Sequence, residues 1–153
     1  MLMMTAKVNK KKIIFALAAI AALILAAVLL FGGDSTATSA PAAIRSNDDR
    51  VRFLESFGWQ VVTSPAETCQ VHIPTAGSEV FDRYNTLQKT MGYDLTQYAG
   101  KNVMRYVYKI KNYPGATEPV YATILIANNQ VIGGDITDTA ATGTISGFQM
   151  NSN

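Results

Sequence analysis

The 153-residue chain is 48% hydrophobic and 16% charged, and its formal net charge at pH 7 is +2. It contains one cysteine and one histidine, which excludes an intrachain disulfide and a zinc site built from several such ligands. A nucleophilic site that needs a histidine base would have only His72 available.

An unbroken apolar run extends from residue 13 to residue 31, without charge, proline or glycine. As a helix, these nineteen residues would span about 28 Å, close to the roughly 30 Å hydrocarbon core of a bilayer. We therefore predict a transmembrane signal anchor at 13–31 that contacts membrane lipid. Cleavage among the small residues at 35–43 is the alternative, although a cleaved signal usually has an apolar stretch of only about 7–15 residues.

The charges around this run predict its orientation. Four lysines and no acidic residue precede it, so we predict that the basic tail 1–12 is cytoplasmic and that the rest of the chain is outside. From Asp34 onward, nine basic and eleven acidic residues give a net charge of −2, so the positive charge of the chain does not indicate nucleic-acid binding. Small polar residues at 32–45 predict a flexible linker, followed by one extracytoplasmic domain at 46–150.

The first half of that domain is predicted to contain two helices with two strands between them. Ser46 or Asn47 is expected to cap the first helix, which has apolar residues at helical spacing. The stretches WQVVTS and ETCQVHIP have the composition of short strands. The second helix begins after its capping Ser78 and ends at Gly92.

The second half is predicted to contain three strands. KNVMRYVYKIKN alternates between apolar and basic residues, and VYATILIA is apolar on both faces, as a central strand is. Asn128-Asn129 suits a type I′ turn, after which QVIGGDI returns. Together these elements predict an α+β fold in which two helices pack on one face of an antiparallel sheet of four to five strands, preceded by one transmembrane helix.

Candidate catalytic and metal-binding groups are few. Cys69 and His72 would point to opposite faces of one strand, so they are not expected to act together. Asp135 and Asp138 could contribute to a calcium site, but their spacing is common and unspecific. No two of the eleven acidic residues have a spacing that identifies a glycosidase pair. We predict no catalytic, metal-binding or cofactor-binding residues and no cofactor.

Two surfaces are candidates for interaction. A basic row on one strand face could meet anionic wall polymers or lipid headgroups, although a solvated strand face is the ordinary explanation. Tyrosines in predicted connections could stack on sugars or anchor a protein partner. The candidate interaction residues are Tyr93, Tyr98, Tyr113, Arg105, Lys109 and Lys111.

Seven short motifs, ordered along the chain from Arg50 to about Asp135, carry a resemblance to a known family. They are RVRFLESFGW, VHIP, YNTLQK, GYDLTQYAGK, NYP, VYATILIA and VIGGD. The chain resembles an uncharacterised family of small membrane-anchored extracytoplasmic domains of Gram-positive, largely clostridial, bacteria. The resemblance implies an N-terminal hydrophobic anchor, and it assigns no function and no catalytic or binding residue.

These observations predict a single-pass, membrane-tethered domain that binds an unknown ligand outside the cell and is not an enzyme. The expected partner is another envelope protein or a wall polymer. One alternative is a cell-envelope enzyme that uses carboxylates, which convergent acidic residues in a deep cleft would favour. Another is a cleaved, secreted accessory protein or inhibitor.

Overall fold

The computed structural model of the protein describes residues 43–75 and 77–150. The predicted tail at 1–12, the predicted anchor at 13–31 and most of the predicted linker lie outside these residues. Within the described part of the chain, no helix has the length and apolar character needed to cross a bilayer. The elements in chain order are α1 (Asn47–Glu55), β1 (Glu67–His72), α2 (Glu79–Thr90), the 3-10 helix η1 (Leu95–Tyr98), β2 (Asn102–Lys109), β3 (Val120–Ala127), β4 (Gln130–Asp138) and β5 (Ile145–Ser146).

The five strands form one antiparallel sheet in the order β1-β2-β3-β4-β5, so each strand pairs with the next along the chain. This confirms the predicted α+β class with two helices on an antiparallel sheet. The predicted strand WQVVTS is wrong, because within it only Val61 makes a β-bridge, to Ile110. β1 therefore lies at one edge of the sheet.

Local hydrogen bonds explain where the two helices begin. The Ser46 hydroxyl accepts from the backbone N–H of Asp49, and the Asp49 carboxylate accepts from the N–H of Ser46, which together form a capping box. Ser78 caps α2 by accepting from the N–H of Phe81. These caps confirm the predicted helix starts.

The two helices pack on opposite faces of the sheet. From α1, Arg50 donates to the hydroxyl of Tyr108 at 2.7 Å, whereas Tyr84 of α2 donates to Asp135 at 2.7 Å. Asp135 lies opposite Thr123 and Thr123 opposite Val107, so all three share the face that Tyr108 does not. The prediction that both helices pack on one face is wrong. Periodicity identifies the apolar side of a helix, but it does not identify the sheet face that receives it.

A large core fills the space between α1 and the sheet, and a smaller core lies under α2. Phe148, near the C-terminus, is buried in the large core, where its carbonyl accepts from the indole N–H of Trp59 at 2.6 Å. The smaller core consists of Ile73, Leu95, Val103, Leu125 and Ile132. The chain after the last strand is therefore held against the large core by Trp59 and Phe148.

The connection between β3 and β4 is the predicted tight hairpin. Asn128 and Asn129 have φ values of 51° and 60°, which a type I′ turn requires. Replacing Asn129 with valine should lower the free energy of unfolding by about 1–2 kcal/mol, because a β-branched residue is strained at positive φ. Urea denaturation followed by Trp59 fluorescence measures this change. The variant Gln130→Val, at the exposed first position of β4, is the control and should change stability little.

Candidate functional site

An open depression of about 380 Å³ lies between α2 and the sheet face that carries Asp135. Its walls are apolar and come from β1, α2, β3 and β5. The wall residues are Val71, Ile73, Phe81, Leu125 and Ile145. Its polar residues are Tyr84, Arg105, Thr123, Asp135 and Thr137.

The carboxylate of Asp135 forms the polar floor of this depression. Asp135 is only 6% exposed, and two hydroxyl groups hold it in place. The Tyr84 hydroxyl donates to Oδ2 at 2.7 Å, and the Thr137 hydroxyl donates to Oδ1 at 2.6 Å. Because Tyr84 is in α2 and Asp135 is in β4, this contact also fixes the helix against the sheet.

Burial raises the pKa of the Asp135 carboxyl above its ordinary value, and the hydrogen bonds from Thr137 and Tyr84 oppose that rise. The pKa of Tyr84 is also raised, first by burial and then by the neighbouring charge of Asp135. The tyrosine therefore remains a protonated hydrogen-bond donor at neutral pH.

The raised pKa of Asp135 makes a testable contribution to the pH dependence of stability. The unfolded chain loses the Asp135 proton near the ordinary pKa of 3.8, whereas the folded chain keeps it to a higher pH. Because the folded chain then binds more protons, the contribution of Asp135 to the free energy of unfolding falls as pH rises. Asparagine does not titrate. The free energy of unfolding of Asp135→Asn should therefore improve relative to wild type as pH rises from about 4 to 7. Urea denaturation at several pH values tests this, and a difference that is constant or moves the other way would contradict it.

The side of the depression toward β1 carries an ion pair. Arg105 donates to Glu67 at 2.8 Å, and the Cys69 thiol lies 3.2 Å from the same carboxylate oxygen. A second depression, of about 400 Å³, adjoins the first and shares Arg105, Thr123 and Thr137 with it. Arg105 is therefore bonded directly to Glu67, while its charge also opposes the rise that burial causes in the pKa of Asp135 at the floor.

The predicted basic row is only partly assembled. Arg105 and Lys109 are on the same face of β2, but Lys111 lies beyond the end of that strand. Arg105 is half-buried and paired with Glu67, whereas Lys109 and Lys111 are exposed. Of these three residues, the structure places only Arg105 in the depression.

The three candidate tyrosines are half-buried, and none lines the depression above Asp135. Tyr93 packs against the large core, and Tyr113 stacks on Trp59 with ring centroids 5.8 Å apart. Tyr98 packs against the smaller core, with the ammonium of Lys101 5.6 Å from its ring centroid. Each of these rings has a packing role within the domain.

The structure separates the pairs of chemically active residues that the sequence raised. Asp135 and Asp138 point to opposite faces of β4, so they cannot contact one calcium ion together. Cys69 and His72 point to opposite faces of β1, as predicted. Among residues 43–75 and 77–150, no three His, Cys, Asp or Glu side chains are arranged to hold a metal ion.

The residues that form the floor were not among the candidates predicted from the sequence, where Tyr84 was not singled out and Asp135 was considered only together with Asp138. A usable signal was present, because Asp135 is an acidic residue between the apolar or small residues VIGG and Ile136. A buried carboxylate at such a position needs hydrogen-bonding partners, but nothing in the sequence identifies Tyr84, which is 51 residues away.

Together, the fold and the depression define a small α+β domain with one buried carboxylate at the floor of a ligand-sized depression. The chain belongs to the family described as Domain of unknown function (DUF4830), whose model matches residues 53–136. This match confirms the resemblance to a family without an assigned function. No curated protein and no solved structure matches the chain. The matched region includes Tyr84, Arg105, Thr123 and Asp135.

Proposed function

We propose that this protein is a single-pass, membrane-tethered domain that binds a ligand outside the cytoplasm, in the depression above Asp135, without catalysing a reaction. The apolar run at 13–31 and the four lysines before it support the tether and its orientation. The small polar residues at 32–45 would act as a flexible spacer that keeps the domain near the membrane.

One observation carries the binding function: the size and lining of the depression. Small-ligand sites usually measure about 300–1,000 Å³ and combine apolar walls with a few convergent polar groups. The depression measures about 380 Å³, and its apolar walls surround Asp135, Tyr84 and Thr137. Tyr93 lines another depression, of about 500 Å³, but the carboxylate there, Asp49, already pairs with Arg52 and caps α1.

Binding is better supported than the alternative of a carboxylate enzyme. A glycosidase of the usual kind needs two carboxyl groups about 5–9.5 Å apart on either side of the scissile bond. Among the residues that the structure describes, Asp135 is the only acidic one that lines this depression. Both of its oxygens are already held by hydroxyl donors, which suits a fixed binding group better than an acid that exchanges protons.

Photocrosslinking in intact cells tests the binding function. A benzophenone amino acid at Ile145, on the rim of the depression and 57% exposed, should crosslink one discrete partner or polymer. The same group at Val62, which is 41% exposed and outside the depression, is the matched control. Identical products at the two positions, or none at Ile145, would contradict binding in the depression.

A separate experiment tests the tether. Cell fractionation and mass measurement of the mature protein should recover the intact chain in the membrane fraction. A reporter fused after Asn153 should be active only outside the cytoplasm. Recovery of a soluble product that begins near residue 38 or 43 would show cleavage and would favour a secreted accessory protein or inhibitor.

A further inference from the structure

The hydroxyl protons around Asp135 determine what the floor can offer a ligand. Tyrosine and threonine hydroxyls each have one proton to donate. Tyr84 and Thr137 both donate that proton to Asp135, at 2.7 and 2.6 Å. Their oxygens therefore present only lone pairs to a molecule in the depression, beside the remaining lone pairs of the carboxylate. Asp135, Tyr84 and Thr137 therefore form a group of hydrogen-bond acceptors at the floor, here called the cup, in which neither hydroxyl has a proton left to donate.

Within the described part of the chain, no basic side chain forms an ion pair with the carboxylate of this cup, although the charge of Arg105, which also lines the depression, acts on it from a distance. Asp135 takes part in none of the ion pairs formed there, and the nearby guanidinium of Arg105 is paired with Glu67 at 2.8 Å. The charged residues that line the depression are Arg105 and Asp135, and Glu67, outside it, occupies the guanidinium of Arg105, which leaves the Asp135 carboxylate without a directly bonded cation. A buried carboxylate of this kind favours a cationic ligand that brings its own donors.

The walls restrict the rest of the ligand. Phe81, Leu125 and Ile145 surround the cup with apolar surface, and Val71 extends it along β1. A calcium ion takes six to eight oxygen ligands, usually from several carboxylates, and only one carboxylate from residues 43–75 and 77–150 lines this depression. An anionic ligand would meet acceptors on the floor. A compact ammonium group has three donors and no acceptor, which matches the cup.

We propose that the depression binds a primary ammonium group on an aliphatic chain, with Asp135, Tyr84 and Thr137 accepting from the ammonium and the apolar walls covering the chain. This inference rests on the proposed function and specifies the chemical class of its ligand. A lysine-type side chain of a peptide and a free alkyl diamine both present this chemistry.

The test compares three probes of equal chain length on the full-length protein in nanodiscs: n-pentylamine, 1-pentanol and pentanoate. Amide chemical shifts of residues lining the depression report binding. The amine should bind at least about tenfold more tightly than the alcohol, because its hydrogen bonds are charge-assisted, and pentanoate should not compete. Comparing Nα-acetyl-lysine methylamide with 1,5-diaminopentane then distinguishes the peptide source from the free diamine.

Two variants locate the interaction. Asp135→Asn should lose about tenfold in affinity for pentylamine and keep its affinity for pentanol, since it removes the negative charge and replaces one acceptor oxygen by an amide donor while preserving the size of the side chain. Asp138→Asn, on the opposite face of β4, should bind both probes as wild type does. The wild-type comparison of the three probes remains decisive even if Asp135→Asn does not fold.

The possible failures separate this inference from the proposed function. Pentanol binding as tightly as the amine, or pentanoate binding most tightly, would overturn the ammonium assignment and leave ligand binding in the depression standing. Binding of calcium alone to the same residues would overturn it as well. If no probe binds but the benzophenone at Ile145 still yields its specific crosslink, the ammonium assignment fails and the proposed binding function stands. If the crosslink is also absent, the proposed binding function fails with it.

Discussion

Replacing Gly134 with alanine is expected to lower the free energy of unfolding by more than about 3 kcal/mol, or to prevent folding altogether. Gly134 lies in β4, where the sheet meets both α2 and the C-terminal segment. An added Cβ would lie 2.1 Å from the carbonyl oxygen of Thr123 and 2.4 Å from the ring of Phe148. The first of these contacts is with the backbone of the neighbouring central strand, so no change of side-chain rotamer relieves it.

Trp59 provides the measurement for this variant, because it is the only tryptophan in the chain and is 2% exposed. Urea denaturation followed by its fluorescence gives the loss of stability relative to wild type. Gly115→Ala is the control: its φ is +70°, and an added Cβ would meet nothing within 4 Å. The control should lose only about 1–2 kcal/mol, from backbone strain. Equal losses in the two variants would show that the close contacts of Gly134 are not the cause.

The parts of the fold that were predicted correctly depend on nearby residues. The caps at Ser46 and Ser78 act within three residues, and the turn at Asn128-Asn129 depends on the conformational preference of asparagine. The alternating patterns of the strands were sufficient to predict an antiparallel sheet. The strand predicted at WQVVTS fails because strand composition does not ensure a partner, and only Val61 finds one.

The floor of the site could not be predicted, because it depends on packing between distant parts of the chain. Tyr84 has a helical spacing that suits a core position, and its ring does pack against the smaller core. Its hydroxyl reaches Asp135 because α2 lies on the sheet face opposite to α1. The sheet face on which α2 packs is decided only when the whole sheet is assembled. The depression exists because α2 packs on the face that carries Asp135.

Gln88 is expected to be as important as Gly134, because it attaches α2 to the sheet. Its side chain is fully buried and makes two hydrogen bonds to the backbone of Gly134, donating to the carbonyl at 2.9 Å and accepting from the N–H at 2.8 Å. Gln88→Met retains the length of the side chain but leaves both backbone groups unpaired. The free energy of unfolding should therefore fall by about 3 kcal/mol or more, since each buried orphan group costs about 1–3 kcal/mol. Gln97→Met, at an exposed position of η1, is the control and should be nearly neutral.

Gln88→Glu tests the same contact by protonation. A protonated carboxyl can donate and accept as the amide does, whereas a carboxylate only accepts and is also costly to bury. Burial raises the pKa of such a carboxyl, so the folded variant binds more protons than the unfolded one, and its stability should fall as pH rises from about 4 to 7. Tyr84 lies one turn before Gln88 in α2, so the loss of the hydrogen bonds between residue 88 and Gly134 at neutral pH should also weaken pentylamine binding. Acidification should partly restore the stability of the variant. A variant whose stability relative to wild type is the same at both pH values would show that the two hydrogen bonds to Gly134 do not hold the helix in place.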